Sequence, residues 1–228
     1  MSNRLPVPSA LRNQPVIAVL RAPAPTEYAP VIDALLAGGV THIEVTLSTP
    51  GTLDYLAGLV ERCGSDAAIG VGTVTNPEEA ERALAAGAAY LVTPTTELSV
   101  VDVALAAGVP VYPGGLTPTE LHSAWRRGAP AVKLFPASRF GSGYLADLRG
   151  PFPDLEVIPS GGVTTDEALV WLAAGACAVS VGGPLLRDAF DGGSLDALTA
   201  RATDLNRRIV DAGFGSARFV QSEPEAAR

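Results

Sequence analysis

Seven glycines recur along this chain at nearly even intervals, and that rhythm restricts the fold more than any other feature. Gly39, Gly64, Gly87, Gly108, Gly128, Gly150 and Gly175 are separated by 25, 23, 21, 20, 22 and 25 residues. Each interval has room for one strand, one helix and two short loops. Helical stretches keep ending at these glycines, often in an alanine-rich turn, and a glycine in the left-handed conformation commonly closes a helix C-terminus. An apolar run then follows: His42–Leu47, Ala68–Val74, Tyr90–Pro94, Val109–Gly114, Ala131–Pro136, Glu156–Gly161 and Cys177–Gly182. Val16–Arg21 supplies a strand ahead of the first glycine and makes eight. Between strands, segments such as Pro77–Ala86 and Thr117–Arg127 carry the spacing of amphipathic helices. Pro77 and Pro118 stand near helix starts, where a missing N–H is harmless. Alternating strand and helix implies a parallel sheet with right-handed crossovers. Eight such units without a compositional break predict an α/β fold, a single (β/α)8 TIM barrel of ordinary size for that architecture. The barrel domain spans 1–228, with residues 1–14 as an N-terminal extension and about 215–228 as a polar C-terminal tail. A doubly wound open sheet is the alternative.

Composition narrows the partners. With 47% hydrophobic and 18% charged residues, the chain reads as a globular protein with a large core. A net charge of −8 argues against nucleic acid, which needs a basic face, and disfavours an anionic membrane surface. Cys63 and Cys177 are too few for a disulfide framework, lack metal-ligand neighbours at useful spacing, and read as small core residues in a reducing compartment. Val16–Leu20 is too short for a membrane span or a signal-peptide core. These features predict a cytoplasmic protein.

In a barrel, active sites collect at the C-terminal ends of the strands. The sequence places there Arg21, Glu44 with Thr46, Thr73, Pro94, Pro113-Gly114-Gly115, Lys133 with Phe135, Ser160-Gly161-Gly162 and Gly182-Gly183. Lys133 is the sole lysine of the chain and lies in the strand-like run Ala131–Pro136. Burying an isolated ammonium there costs several kcal/mol. Releasing the proton removes that cost and leaves a nucleophile able to form a Schiff base with a carbonyl. The bland alternative is a strand-end lysine reaching back to water. Convergence of so many capable residues on one mouth favours the reactive reading. Glu44 shares a strand face with His42 and Thr46. A carboxylate inside the sheet is expensive unless paired or used. It is either a structural ion-pair partner of Lys133 or Arg21, or a proton shuttle beside the amine. A lysine plus one acid/base carboxylate, with no metal-ligand cluster and no cofactor motif in the sequence, is the minimum equipment for Schiff-base carbon–carbon chemistry. The two Gly-Gly pairs fall after strands seven and eight, where bare N–H groups bind phosphate in this fold, although tight turns alone would also favour glycine. Pro184 offers no N–H beside the second pair.

Together these stretches resemble a known family across Val16 to Ile209: the class I aldolases acting on 2-keto-3-deoxy-6-phosphogluconate, its galactonate epimer and 4-hydroxy-2-oxoglutarate. The matching segments are Ala18-Val19-Leu20-Arg21, Ile43-Glu44-Val45-Thr46-Leu47, Ile69-Gly70-Val71-Gly72-Thr73-Val74, Val132-Lys133-Leu134-Phe135-Pro136-Ala137 and Ser160-Gly161-Gly162-Val163. The resemblance implies that Lys133 is the Schiff-base lysine and Glu44 the general acid/base. It places Thr73 and Gly114-Gly115 against the pyruvyl portion, Pro94 and Phe135 around the pocket, and Gly161, Gly162, Gly182 and Gly183 at the phosphate. It further implies small-molecule partners, pyruvate and an aldehyde or the keto acid they form, no cofactor, no metal, and a homotrimer. Two departures stand out. Many members carry a carboxylate-binding arginine where this chain has Ser48, so that contact falls to Arg21. Pro184 replaces a serine beside the phosphate. A phosphosugar isomerase or epimerase on the same barrel, and a non-catalytic sugar-phosphate sensor, are the rival functions.

Overall fold

The computed structural model describes residues 4–215. The tail expected from about 215 to 228 lies outside the described residues apart from its first position. Strand and helix alternate as α1 (Ser9–Asn13), β1 (Val16–Leu20), α2 (Tyr28–Ala37), β2 (His42–Thr46), α3 (Thr52–Cys63), β3 (Ala68–Gly72), α4 (Pro77–Ala85), β4 (Leu91–Val92) and α5 (Leu98–Ala106). The chain continues through β5 (Val111–Tyr112), β6 (Gly114–Gly115), α6 (Pro118–Arg127), β7 (Val132–Leu134), α7 (Gly143–Arg149), β8 (Val157–Pro159), α8 (Thr165–Ala173), β9 (Val179–Val181), α9 (Gly183–Leu186) and α10 (Leu195–Asp211). Each segment read as a strand contains an observed one.

The ladders are parallel, but they do not form the single closed (β/α)8 barrel. The strands divide into a six-stranded sheet, ordered β5-β4-β3-β2-β1-β9, and a three-stranded sheet, β6-β7-β8. One break has a plain cause. Pro113 has no N–H to give a ladder, so the run Val109–Gly114 splits there and its two halves enter different sheets. At the other break, Cys177 N–H donates to the Val157 carbonyl at 3.1 Å just ahead of β9. No ladder pairs β8 with β9 among the described residues. One helix closure also differs from expectation. Gly150 has φ −49, whereas the other six spaced glycines have positive φ. Helical bonding simply runs on past it, with Phe152 N–H reaching the Leu148 carbonyl at 3.1 Å.

Period-two alternation sorts the strand side chains into two cores. Val16, Ala18 and Leu20 of β1 join Ile43, Val45 and Leu134 in the layer packed against the helices. Ile17 instead joins Tyr90, Val92, Tyr112 and Ile158 in an inner cluster, completed by Val7 and by Leu11 of α1. Full burial of one such aliphatic side chain stabilises by about 1.5–3 kcal/mol. Helix starts beside the strand ends are fixed by side chains. Thr117 with Glu120, and Thr164 with Glu167, form reciprocal capping boxes at α6 and α8. No helix among the described residues is long and apolar enough to cross a membrane.

Candidate active site

The residues that carry chemistry lie where the inner cluster gives way to polar groups. Lys133 occupies the middle of β7, and its Nζ stands 3.6 Å from Glu44 Oε1 on β2. Their side chains are 7% and 1% exposed. That separation is an ion pair just beyond hydrogen-bond reach, and both Glu44 oxygens are buried without a hydrogen-bond partner. Such a carboxylate is under-satisfied, because an ionised carboxylate has about four acceptor sites. Glu44 fits only because β3 is bare opposite it: a Cβ on Gly72 would lie 2.0 Å from Oε1. On its other side, Lys133 Nζ sits 5.3 Å from the centre of the Phe135 ring.

Thr46, read with Glu44 on one face, is committed to structure. Its hydroxyl donates to the Leu20 carbonyl at 3.1 Å and lies 2.7 Å from the Ser48 hydroxyl, tying β2 to the end of β1. Thr73, one residue past β3, is half-buried and holds φ 63. A threonine in the left-handed region costs of order 1–3 kcal/mol, and such strain collects at functional sites. Pro94 and Gly114 are pressed together, since a Cβ on Gly114 would lie 2.5 Å from the Pro94 carbonyl oxygen. Gly114 N–H donates to Thr93 Oγ1 at 3.1 Å, and the Thr96 hydroxyl donates to the Gly114 carbonyl at 2.8 Å. Gly115 accepts from Phe135 N–H at 3.0 Å, linking this turn to the strand of Lys133.

A cavity of about 80 Å³ unites most of the remaining predicted residues. Arg21, Lys133, Phe135, Ser160, Gly161, Gly162, Gly182 and Gly183 line it, together with Val19, Ser180 and Pro184. Thr73, Pro94, Gly114 and Gly115 lie outside that lining, and Glu44 sits behind Lys133. Arg21 is exposed and also borders a larger hollow of about 500 Å³, shared with Gly182, Gly183 and Arg187. Both glycines of the first pair are left-handed, with φ 84 at Gly161 and 78 at Gly162. A Cβ would lie 2.8 Å from the Phe135 ring at Gly161 and 2.8 Å from Ser138 at Gly162. Pro184 is accommodated because α9 is a single short turn in which Leu185 and Leu186 N–H groups bond the Gly182 carbonyl at 2.9 and 3.0 Å.

Two inner groups escaped the sequence reading. Ser180 is 3% exposed and lines the cavity from β9. The alternation Val179-Ser180-Val181, two residues ahead of Gly182, was a usable signal. Tyr90 is 2% exposed, with a hydroxyl that has no partner. An aromatic residue opening an apolar run carries no signal beyond core packing. Burial first, then the charge of Glu44, holds the Tyr90 phenol well above its usual range. Burial lowers His42, at the far end of β2 from Thr46, to about 4 and raises Cys177 to about 12. Cys63 and Cys177 are both buried, as expected of core residues.

A buried amine set against a buried carboxylate, beside a glycine-lined hollow at parallel strand ends, defines a site for carbonyl chemistry with an anionic substrate. The sequence matches the model of the KDPG and KHG aldolase family over residues 7–200, and the chain belongs to that family. It is 34% identical to 2-dehydro-3-deoxy-6-phosphogalactonate aldolase of Escherichia coli K12 over 174 residues, covering 76% of this chain and 85% of that one. To 2-dehydro-3-deoxy-phosphogluconate aldolase of Pseudomonas aeruginosa it is 36% identical over 163 residues, covering 71% and 74%. Among solved structures, KDPG aldolase of Legionella pneumophila, with pyruvate captured at low pH as a covalent carbinolamine, superposes with a TM-score of 0.79 at 26% identity, covering 86% of this chain and 96% of that one.

Proposed function

We propose that this protein is a class I aldolase, a carbon–carbon lyase. It reversibly cleaves 2-keto-3-deoxy-6-phosphogluconate, or its galactonate epimer, to pyruvate and glyceraldehyde 3-phosphate. The same chemistry converts 4-hydroxy-2-oxoglutarate to pyruvate and glyoxylate. The observation that carries the mechanism is the buried pair, Lys133 Nζ at 3.6 Å from Glu44 Oε1. Lys133, as the free amine, adds to the C2 ketone. Glu44 moves the protons by which the carbinolamine loses water to give the iminium. Glu44 then takes the proton of the C4 hydroxyl, the C3–C4 bond breaks, and its electron pair enters the iminium to form an enamine. The aldehyde departs. Glu44 returns the proton to C3, and water hydrolyses the iminium to free pyruvate and the amine.

The other residues position substrate. Arg21 meets the carboxylate through the two parallel hydrogen bonds a guanidinium can offer. Thr73 and Gly114-Gly115 bound the pyruvyl portion, Pro94 and Phe135 shape the pocket, and Ser160 with Gly161, Gly162, Gly182 and Gly183 receives the phosphate. The working form is a cytoplasmic homotrimer. Pyruvate with borohydride tests the central step. One pyruvate-derived mass increment is expected on the protein, located on Lys133, and the single lysine leaves only the N-terminal amine to compete. Active enzyme with Lys133 unmodified refutes the Schiff-base mechanism.

A further inference from the structure

Two orphaned polar groups lie over the same strand behind this site. Glu44 is 1% exposed and Tyr90 is 2% exposed, and neither the carboxylate oxygens nor the phenol hydroxyl has a hydrogen-bond partner among the described residues. Buried polar groups without partners are rare and each calls for an explanation. Both groups rest on the same bare stretch of β3. Ladder register pairs Glu44 with Gly70. The Tyr90 ring fills the space above Gly70, where a Cβ would lie 2.3 Å from the hydroxyl-bearing Cζ. The Glu44 carboxylate fills the space above Gly72, at 2.0 Å. Residues two apart on a strand share a face and stand about 7 Å apart. The phenol and the carboxylate are therefore beyond direct hydrogen-bond reach and close enough for one bridging water to connect them.

We propose that Tyr90 is a positioning residue, whose hydroxyl donates through a bridging water to the Glu44 carboxylate and holds it for its proton transfers. This rests on the aldolase reading above. Lys133 becomes the covalent link to substrate and cannot also anchor Glu44 with a free ammonium. The cycle thus needs a second donor facing the carboxylate. The titratable groups on this inner side are Lys133 from β7, 3.6 Å from Glu44, His42 two residues along its own strand, and the inner-cluster pair Tyr90 ahead of β4 and Tyr112 from β5. Tyr112 stacks obliquely on Tyr90 at 5.6 Å, and the His42 ring is 6.4 Å from Tyr90. Of these, Tyr90 is the neutral donor whose hydroxyl end borders β3 beside Glu44. Burial keeps its proton in place across the working range.

Tyr90→Phe retains the ring and removes only the hydroxyl. A hydrogen bond to a charged group corresponds to a loss of roughly 10–100-fold in kcat, with KM unchanged within a few-fold. Pyruvate and borohydride should still mark Lys133 to the parental extent. The melting temperature should hold or rise, because a buried orphan hydroxyl has gone. A parental kcat overturns the proposal, and so does a kcat loss that accompanies a lower melting temperature, which would assign Tyr90 to packing alone. Trapping on the parent separates the two levels of inference. If parental Lys133 is not trapped, the aldolase mechanism falls and the Tyr90 role with it. If Lys133 is trapped and Tyr90→Phe turns over like the parent, only the Tyr90 role falls.

Discussion

Gly72→Ala adds one methyl group at the point where the site has least room for it. The new Cβ would lie 2.0 Å from Glu44 Oε1, 2.6 Å from Cδ and 2.7 Å from Cγ. Carbon atoms out of bonding contact settle at about 3.5–4.0 Å, so the carboxylate must retreat by about 1–1.5 Å. Gly72 has no positive φ, and alanine therefore fits the backbone, which leaves the methyl as the sole perturbation. Glu44 is almost fully buried, and β2 is hydrogen-bonded on both flanks, to β1 and β3, so the strand cannot yield easily. Overpacking of this kind destabilises by about 1–3 kcal/mol. Misplacing a catalytic group by 1 Å lowers the rate by about 10²-fold. The expected variant folds, melts earlier, and releases pyruvate about 10²-fold more slowly in a lactate dehydrogenase-coupled assay. Pyruvate and borohydride still label Lys133, because the amine is untouched. A turnover within a few-fold of the parent, alongside the expected loss of stability, would show that the observed position of the Glu44 carboxylate is not what the reaction uses.

Arg21→Lys tests the carboxylate contact. Its KM should rise by about tenfold or more for every keto acid, phosphorylated or not, since lysine cannot reproduce the bidentate fork. A loss confined to phosphorylated substrates would reassign Arg21 to the phosphate, a role its place beside Gly182 and Gly183 also permits. The acid side of the stability curve follows from His42. Burial lowers it from 6.5 to about 4, so the unfolded chain takes up a proton below pH 6.5 that the folded chain refuses until about 4. Stability is full above about pH 6.5 and falls by up to about 3 kcal/mol as the pH drops toward 4. Urea unfolding at pH 7 and pH 4.5, repeated on His42→Gln, checks this, and an equal slope in the variant would assign the acid loss to other groups.

Features governed by local chemistry were legible in the sequence. The strand–helix rhythm follows from glycine closures and amphipathic spacing, and each inferred strand contains an observed one. Lys133 and Glu44 were legible because a charge in an apolar run is costly wherever the run is buried. Closure of the sheet was not, because it depends on donors continuing around the whole ring. Pro113 removes one such donor, and nothing in the periodicity of Val109–Gly114 reveals that its halves enter different ladders. The left-handed Thr73 was equally hidden, since a β-branched residue gives no local reason for that conformation.

The glycines divide along the same line. Gly39 or Gly175 can be explained from the chain around it, as a helix closure with positive φ. Gly70, Gly72 and Gly114 cannot. None has positive φ, and each is demanded by an atom far away in sequence: the Tyr90 ring, the Glu44 carboxylate and the Pro94 carbonyl. These are clearance glycines. They open the face of β3 to a tyrosine ring and a carboxylate, and the start of β6 to the backbone after β4. Sequence reading placed Gly114 at the mouth by its strand-end position, set it against the pyruvyl portion by family resemblance, and gave Gly70 and Gly72 no role of their own. The structure gives all three one physical purpose. The Glu44 carboxylate can lie where it does, 3.6 Å from the Lys133 amine, only because the flanking strand β3 carries no side chain at Gly72. On this argument the bareness of β3 belongs to the catalytic apparatus as much as the groups it admits.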